Sequence, residues 1–228
     1  TEYASVVLLD GRVLVTGGLT TNYEPTATAE VYDSATDTWT LLPDMGAARY
    51  GHTASILSAE FDGLVIIAGG DSTGSAPSTI EFFDPIANAF TTIATLSSAR
   101  QYHSAAVLDD DRVLLSGGNA GDTVLSSIEI FDPATGIVTV GPTMLSPRTH
   151  GSATTLLDGL VLIAGGYDGE TDLASAEIFD PYDNTIATVP TSLVTPRSSH
   201  LALRLPKNNN VLFLGGSSNG IALDTCEL

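Results

Sequence analysis

Basic residues are scarce in this chain of 228 amino acids. Eight lysines and arginines stand against 27 aspartates and glutamates, which gives a formal net charge of −19 at pH 7. A protein that neutralises phosphates needs clustered cations, so we expect no nucleic-acid partner and no attraction to anionic membranes. The sequence also lacks the run of about 18 apolar residues that a membrane-spanning helix requires, and we predict no membrane insertion.

Cysteine is almost absent as well. The single residue, Cys226, excludes an internal disulfide framework and a thiolate metal cage. The His-Glu-x-x-His pattern of zinc proteases is missing too. We therefore predict no catalytic residue, no metal site and no cofactor, although the oxygen-rich run at 168–172 is of a kind that binds Ca²⁺. The acidic, Ser- and Thr-rich, Lys-poor composition favours a secreted or cell-surface protein.

Glycine, by contrast, recurs in pairs, each directly after a short apolar run. The five pairs are separated by 52, 48, 48 and 50 residues. They are Gly17 and Gly18, Gly69 and Gly70, Gly117 and Gly118, Gly165 and Gly166, and Gly215 and Gly216. Self-similarity at such a period is typical of repeat architectures.

Three further residue types keep step with the glycine pairs. A glutamate follows the first glycine by 12 or 13 residues, an arginine follows the glutamate by 19 or 20, and a histidine comes within three residues of the arginine. The glutamates are Glu30, Glu81, Glu129, Glu177 and Glu227. The arginines are Arg49, Arg100, Arg148 and Arg197, and the histidines are His52, His103, His150 and His200.

Each repeat contains four short β-prone runs, which we call strands a to d. In the third repeat they are predicted at about 103–108, 112–116, 127–131 and 137–140. Asp-Gly pairs between strands a and b, and Asp-Pro pairs between c and d, predict tight turns. Four-stranded units of about 50 residues match the blades of a β-propeller.

The combination of Arg-x-x-His, strand, Gly-Gly and Glu-x-Phe/Tyr-Asp-Pro resembles the kelch repeat, especially that of galactose-oxidase-like propellers. The resemblance implies an all-β kelch-type propeller with core residues at Trp39 and its equivalents in strand d. It places one domain over 1–228, with blades at about 1–48, 49–99, 100–147, 148–196 and 197–228. The last blade lacks its outer strand. We expect an excerpt of a longer chain, a five-bladed ring, or a partner chain that supplies the missing strand.

Two interpretations of the repeated residues remain open. In the first, the glycines allow close backbone approach, the histidines form structural hydrogen bonds, and each blade holds one buried ion pair, such as Glu129 with Arg148. In the second, the four motif arginines and the four histidines lie at the mouth on the face of the d–a connections and bind an anionic ligand. Four histidines in separate blades are too far apart to share one metal ion.

A rigid ring that presents variable loops favours a non-catalytic binding or scaffolding module for a protein or a glycan. The loops between strands b and c vary most in composition, and they lie at 19–28, 71–78, 119–126 and 167–175. One alternative is a propeller of a carbohydrate-active oxidase or hydrolase whose catalytic residues lie outside this chain. The other is a structural protein that associates with itself by strand exchange at the open last blade.

Overall fold

The computed structural model describes residues 1–72 and 78–228, so part of the predicted loop at 71–78 lies outside the described residues. Within these ranges the chain forms 23 β-strands and a single turn of 3₁₀-helix at Ala59–Phe61, and no α-helix. No helix there is long and apolar enough to cross a membrane. The structure confirms the predicted all-β class.

The strands form five antiparallel sheets, one for each repeat. Four sheets have four strands joined in chain order, and the last has three. The first is β1 (Ala4–Val7), β2 (Val13–Thr16), β3 (Ala29–Asp33) and β4 (Thr38–Leu41). The second is β5 (Thr53–Ile56), β6 (Val65–Ala68), β7 (Thr79–Asp84) and β8 (Ala89–Thr95). The third is β9 (Ser104–Val107), β10 (Val113–Ser116), β13 (Ile128–Asp132) and β14 (Ile137–Val140).

The remaining sheets follow the same order. The fourth is β15 (Ser152–Thr155), β16 (Val161–Ala164), β17 (Ala176–Asp180) and β18 (Thr185–Thr188). The fifth is β19 (Leu201–Arg204), β20 (Val211–Leu214) and β23 (Cys226–Glu227). Two b–c loops add ladders of their own, β11 (Asn119–Ala120) with β12 (Thr123–Val124), and β21 (Ser217–Ser218) with β22 (Ile221–Ala222).

Turn chemistry explains where the strands end. Between strands a and b, Gly11 and Gly63 adopt φ values of 88° and 66°, a region in which a side chain is strained. At the c–d turn of the second sheet, the Asp84 carboxylate accepts hydrogen bonds from the amides of Ile86 and Ala87 at 2.8 and 3.0 Å. The aspartate thus closes the turn that the Asp-Pro pair predicts.

The chain divides into two compact units, residues 1–102 with 134–138, and residues 103–133 with 139–228. In the first unit, Leu14 and Val31 of the first sheet pack on Val65, Ile67 and Phe83 of the second. The second unit has cores of the same kind; one joins strands of the third and fourth sheets, and another joins those of the fourth and fifth. Trp39 does not join a core, since it is 57% exposed, and its predicted core position is wrong.

Candidate functional site

The four motif arginines are the largest fully buried side chains of the protein. Arg49, Arg100 and Arg197 are 0% exposed and Arg148 is 2% exposed. Each follows the outer strand of its sheet, in the connection to the next sheet. A buried guanidinium is costly unless it is paired and hydrogen-bonded, so the partners of these groups decide what they do.

Arg148 holds the base of a b–c loop. One of its terminal nitrogens donates to the carbonyl oxygens of Gly165 and Ser175 at 2.6 and 3.2 Å, which are the two ends of the loop in the fourth sheet. The other donates to Glu177 Oε1 at 2.7 Å. The fork of donors on one guanidinium therefore joins both ends of the loop to one carboxylate.

Two more arginines repeat this arrangement, one two blades earlier and one a single blade later. Arg49 donates to the carbonyl oxygens of Gly69 and Thr79 and forms an ion pair with Glu81. Arg197 donates to those of Gly215 and Thr225 at 2.7 and 3.4 Å, and to Glu227 at 2.5 Å. The loop clamp is thus a property of the repeat.

The glutamates also hold the backbone that precedes the arginine. Glu177 accepts hydrogen bonds from the amides of Leu145 and Ser146 at 2.8 and 3.2 Å. Glu227 likewise accepts from the amides of Val194 and Thr195, at 2.6 and 2.9 Å. Each carboxylate therefore links the d–a connection of one blade to the loop of the next, and the lone pairs are satisfied where Glu177 is buried and Glu227 half-buried.

The predicted pairing of Arg148 with Glu129 is wrong. Arg148 binds Glu177, which lies in the sheet that follows the connection carrying Arg148, whereas Glu129 lies in the sheet before it. The reason is geometric: the arginine lies where the chain leaves one sheet and enters the next, so its side chain reaches the middle strands of the sheet that follows. Glu129 is buried like Glu81 and Glu177. Glu30, in contrast, is exposed.

The glycine pairs pack against the arginine backbone. A side chain on Gly117 would place its Cβ 2.1 Å from the carbonyl oxygen of Arg148, and the same oxygen accepts a 2.9 Å hydrogen bond from the Gly118 amide. The φ values of the two glycines, 66° and 89°, add a second requirement for glycine. These positions serve backbone packing.

Two histidines are buried and hydrogen-bonded. The ring Nε2 of His52 lies 2.9 Å from Thr16 Oγ1, and that of His200 lies 2.9 Å from Ser152 Oγ. Burial, with the nearby charge of Arg49, lowers the pKa of His52 to about 3, and burial beside Arg197 lowers the pKa of His200 to about 4. Both rings are therefore neutral at physiological pH. His103 is buried too.

His150 departs from this pattern because it comes one residue early. It takes a φ of 55° and is only half-buried, while Gly151 stands at the position that His52 and His200 occupy in their repeats. One consequence is visible in the third sheet. Ser116, which ends β10 as Thr16 ends β2, has a buried hydroxyl with no hydrogen-bond partner among the described residues.

A patch of half-buried groups lies beside the buried network in the first unit. Tyr50 and Tyr102 stand edge to face with ring centroids 6.1 Å apart, and the Tyr50 hydroxyl donates to Asp71 Oδ2 at 3.2 Å. Burial and the Asp71 carboxylate raise the pKa of Tyr50. We call Tyr50, Asp71 and Tyr102 the tyrosine–aspartate patch. The sequence carries no repeated signal for this patch, because these positions differ in each repeat; only the place of the two tyrosines beside the motif arginines marks it.

Metal-binding geometry is not apparent in the ranges 1–72 and 78–228, where no three His, Cys, Asp or Glu side chains are grouped to hold an ion. In the run at 168–172, Asp168 Oδ1 instead accepts the amides of Glu170 and Thr171 at 2.8 and 2.7 Å. These hydrogen bonds lower the pKa of Asp168 and close the tip of its own loop.

Comparison with known proteins places these features in context. Residues 3–216 match the family model of the KLHDC2/KLHL20/DRC7 Kelch-repeats domain. The chain is 34% identical over 110 residues to Kelch-like protein 23 of Homo sapiens, a match that covers 48% of this chain and 19% of that protein. It is 30% identical over 108 residues to alpha-scruin of Limulus polyphemus, with 44% of this chain and 11% of that protein covered. The chain thus spans a fifth or less of these two relatives.

A solved structure, that of YjhT, superposes with a TM-score of 0.82 at 14% identity, and the match covers 99% of this chain and 80% of that one. At such low identity the likeness concerns the fold alone. The arrangement of four-stranded antiparallel sheets is that of a kelch propeller.

Proposed function

Because the chain belongs to the kelch-repeat family, we propose that it is a non-catalytic protein-binding module whose b–c loops form the recognition surface. The observation that carries this proposal is the loop clamp. Arg49, Arg148 and Arg197 each fix both ends of a b–c loop with hydrogen bonds from a buried guanidinium. A loop held at its base loses less conformational freedom when it binds, which favours affinity.

Four of the loops, those of the first, third, fourth and fifth sheets, also contain backbone pairing of their own. The loop of the third sheet contains the β11–β12 ladder, and that of the fifth contains β21–β22. Those of the first and fourth sheets are closed by isolated bridges, Leu19 with Pro25 and Tyr167 with Asp172. Such small hairpins present their tips in defined positions, as binding loops on a rigid scaffold do.

The chemistry of this surface favours a basic partner. Its arginines are buried and paired, whereas Glu24, Asp122 and Glu170 are exposed on the loops. Tyr23 and Ile221, which are 81% and 70% exposed, add apolar contact area at two loop tips. With a net charge of −19, the chain attracts cationic surfaces and repels acidic ones. We therefore assign the motif arginines and histidines to the framework and the exposed loop groups to the partner.

Selection of binding peptides tests the proposal. A displayed peptide library is selected on the immobilised chain, and the bound peptides are measured against Tyr23→Ala and a matched control, Tyr182→Ala. Tyr182 is also exposed, at 71%, but it lies in a c–d turn. We expect basic peptides whose affinity falls with salt and with Tyr23→Ala, and is kept in Tyr182→Ala. A loss of peptide affinity in Tyr182→Ala but not in Tyr23→Ala, or the selection of acidic peptides, contradicts the proposal.

A second candidate function rests on the fifth sheet. Among the described residues its outermost strand is β23, and beside it lies a groove of about 550 Å³ lined by apolar groups that include Val189, Leu193 and Phe213. An extended segment that pairs with β23 would place side chains in this groove. Self-association through such a strand predicts a mass that rises with concentration in light scattering, whereas a constant monomer mass excludes it.

A further inference from the structure

The tyrosine–aspartate patch is joined by a second carboxylate, that of Glu2. Burial raises the pKa of Tyr102 well above its usual range, and a hydrogen bond to the Glu2 carboxylate and the charges of Glu2 and Asp71 add to the shift. The hydroxyl of Tyr50 donates to Asp71 Oδ2 at 3.2 Å. Two tyrosine–carboxylate pairs therefore stand side by side within the first unit.

Backbone hydrogen bonds bring Glu2 and Tyr102 together. The Tyr102 amide donates to the carbonyl of Gly51 at 2.7 Å, and the Gly51 amide donates to that of Glu2 at 3.2 Å. Gly51 lies between the two residues without a side chain of its own, and a Cβ there would come within 2.9 Å of the Tyr102 ring. The ring therefore packs against Gly51, and its hydroxyl reaches the Glu2 carboxylate.

The other half of the patch is held just as firmly. The Asp71 amide donates to the Tyr50 carbonyl at 2.9 Å, and the Tyr50 amide donates to the Asp71 carbonyl at 3.0 Å. The rings of Tyr50 and Tyr102 meet at an angle of 66° with their centroids 6.1 Å apart. Because the backbone and the side chains are already fixed, a ligand that binds here orders little that was free.

Two members of this group adopt a backbone conformation that is unfavourable for their residue types. Glu2 and Tyr102 have φ values of 62° and 54°, and the equivalent position between the first two sheets is Gly51, at 62°. A bulky side chain in this left-handed region is uncommon. Residues held in this way cluster at binding sites, where the strain positions a side chain. Here it directs a tyrosine and a glutamate to the same spot.

The side chains of this group offer only acceptors to a ligand. Both phenol hydrogens are directed at carboxylates, so the tyrosine oxygens present lone pairs, and the carboxylates are acceptors as well. The faces of the rings carry partial negative charge. Arg49 and Arg100, which adjoin the patch in the chain, are 0% exposed, and Arg49 is paired with Glu81. A cation is therefore attracted here and an anion is repelled.

We propose that Glu2 and the tyrosine–aspartate patch bind the guanidinium of an arginine side chain on a protein partner. A planar guanidinium stacks on an aromatic ring while its fork of donors reaches carboxylates, which the compact ammonium of a lysine cannot do in the same way. The inference rests on the proposed function, because Asp71 begins the predicted b–c loop at 71–78. It gives the basic partner one specific anchor.

Titration with a small probe tests the site directly. Acetyl-arginine amide is added to the chain, with acetyl-citrulline amide as its uncharged match, and the ring signals of the tyrosines are followed by NMR. We expect the arginine probe to shift the signals of Tyr50 and Tyr102, and the citrulline probe to bind about tenfold more weakly because it lacks the charge.

Two matched variants locate the binding. Asp71→Asn removes one carboxylate and should weaken binding of the arginine probe about fivefold. The control is Asp37→Asn, because Asp37 also accepts a tyrosine hydroxyl, that of Tyr32 at 2.9 Å, but lies in an exposed c–d turn. It should leave the affinity measured at Tyr50 and Tyr102 unchanged.

Equal binding of the two probes overturns the inference, as does a loss in Asp37→Asn that matches the loss in Asp71→Asn. The peptide selection separates this inference from the proposed function. Basic peptides that lose affinity in Tyr23→Ala but not in Asp71→Asn support the proposed function and overturn the arginine site. If the arginine probe binds at the patch while no peptide is selected, the site takes a free guanidinium compound, and its assignment to a protein partner is wrong.

Discussion

The carbonyl oxygen of Arg197 accepts a 2.8 Å hydrogen bond from the amide of Gly166, in the sheet that the chain is leaving. The side chain of the same residue forms its ion pair with Glu227, in the sheet that the chain is entering. One residue therefore fixes two neighbouring blades, through its backbone on one side and its guanidinium on the other. This double attachment explains why glycine pair, arginine and glutamate keep a common register along the chain.

Loss of a clamp arginine should destabilise the fold strongly. Arg148→Ala leaves Glu177 buried without its counter-charge, which costs about 3–5 kcal/mol of unfolding free energy. Addition of Glu177→Gln should recover part of this, while Glu129→Gln should recover less. Denaturant titration measures the three variants. Arg112→Ala is the control, because Arg112 pairs with Asp110 on an exposed turn and its loss should cost about 0–1 kcal/mol. Equal costs for Arg148→Ala and Arg112→Ala would contradict the clamp.

Mild acid should weaken the protein through its buried histidines. The pKa values of His52 and His200, about 3 and about 4, lie below the ordinary value of 6.5. The unfolded chain therefore takes up protons as the pH falls below about 6.5, while the folded protein does not. Stability is complete above that pH and should fall by roughly 2 kcal/mol for each histidine at pH 5. His52→Gln should flatten the curve measured between pH 7 and 5, and a stability that stays constant over this range would refute the assignment.

The two requirements for glycine at the clamp can be separated. Gly117→Ala meets both a φ of 66° and a Cβ contact of 2.1 Å with the Arg148 carbonyl. Gly121→Ala meets only the first, since its φ is 59° and its Cβ would have nothing within 4 Å. We expect a cost of about 1–2 kcal/mol for Gly121→Ala from backbone strain alone. Thermal melting should show a much larger loss for Gly117→Ala, and similar losses in both variants would count against the close approach.

Moving the histidine of the fourth repeat by one position should stabilise the protein. The double variant His150→Gly with Gly151→His puts glycine where φ is 55° and an imidazole where His52 lies in its own repeat. The new ring should reach the unpartnered hydroxyl of Ser116, as His52 reaches Thr16. Strain relief and one hydrogen bond predict a gain of about 1–2 kcal/mol. If Ser116→Ala costs the same unfolding free energy in the wild type and in the double variant, the new imidazole does not form a hydrogen bond with Ser116.

Much of the fold follows from local sequence. Strand β14 lies at the predicted 137–140, because an Asp-Pro turn and a β-branched run define it from both sides. The ion-pair partners do not follow, since each arginine keeps a regular spacing both to the glutamate behind it and to the one ahead. Only the packing of one sheet on the next selects the glutamate that follows the arginine in the chain. Trp39 is of a residue type that usually lies in a core. Its exposure depends on what covers the first sheet, which no local sequence pattern encodes. The tyrosine–aspartate patch escaped prediction because it is not repeated.

The clamp gives the array a direction. The guanidinium that holds a b–c loop comes from the connection before its sheet in each of the three clamps with Glu81, Glu177 and Glu227. Mechanical disturbance is therefore not symmetric along the chain. A partner that pulls on one b–c loop therefore transmits force to the connection that precedes its sheet. When one sheet unfolds together with the connection that follows it, the loop of the next sheet loses its guanidinium. The loop of the preceding sheet keeps its own guanidinium.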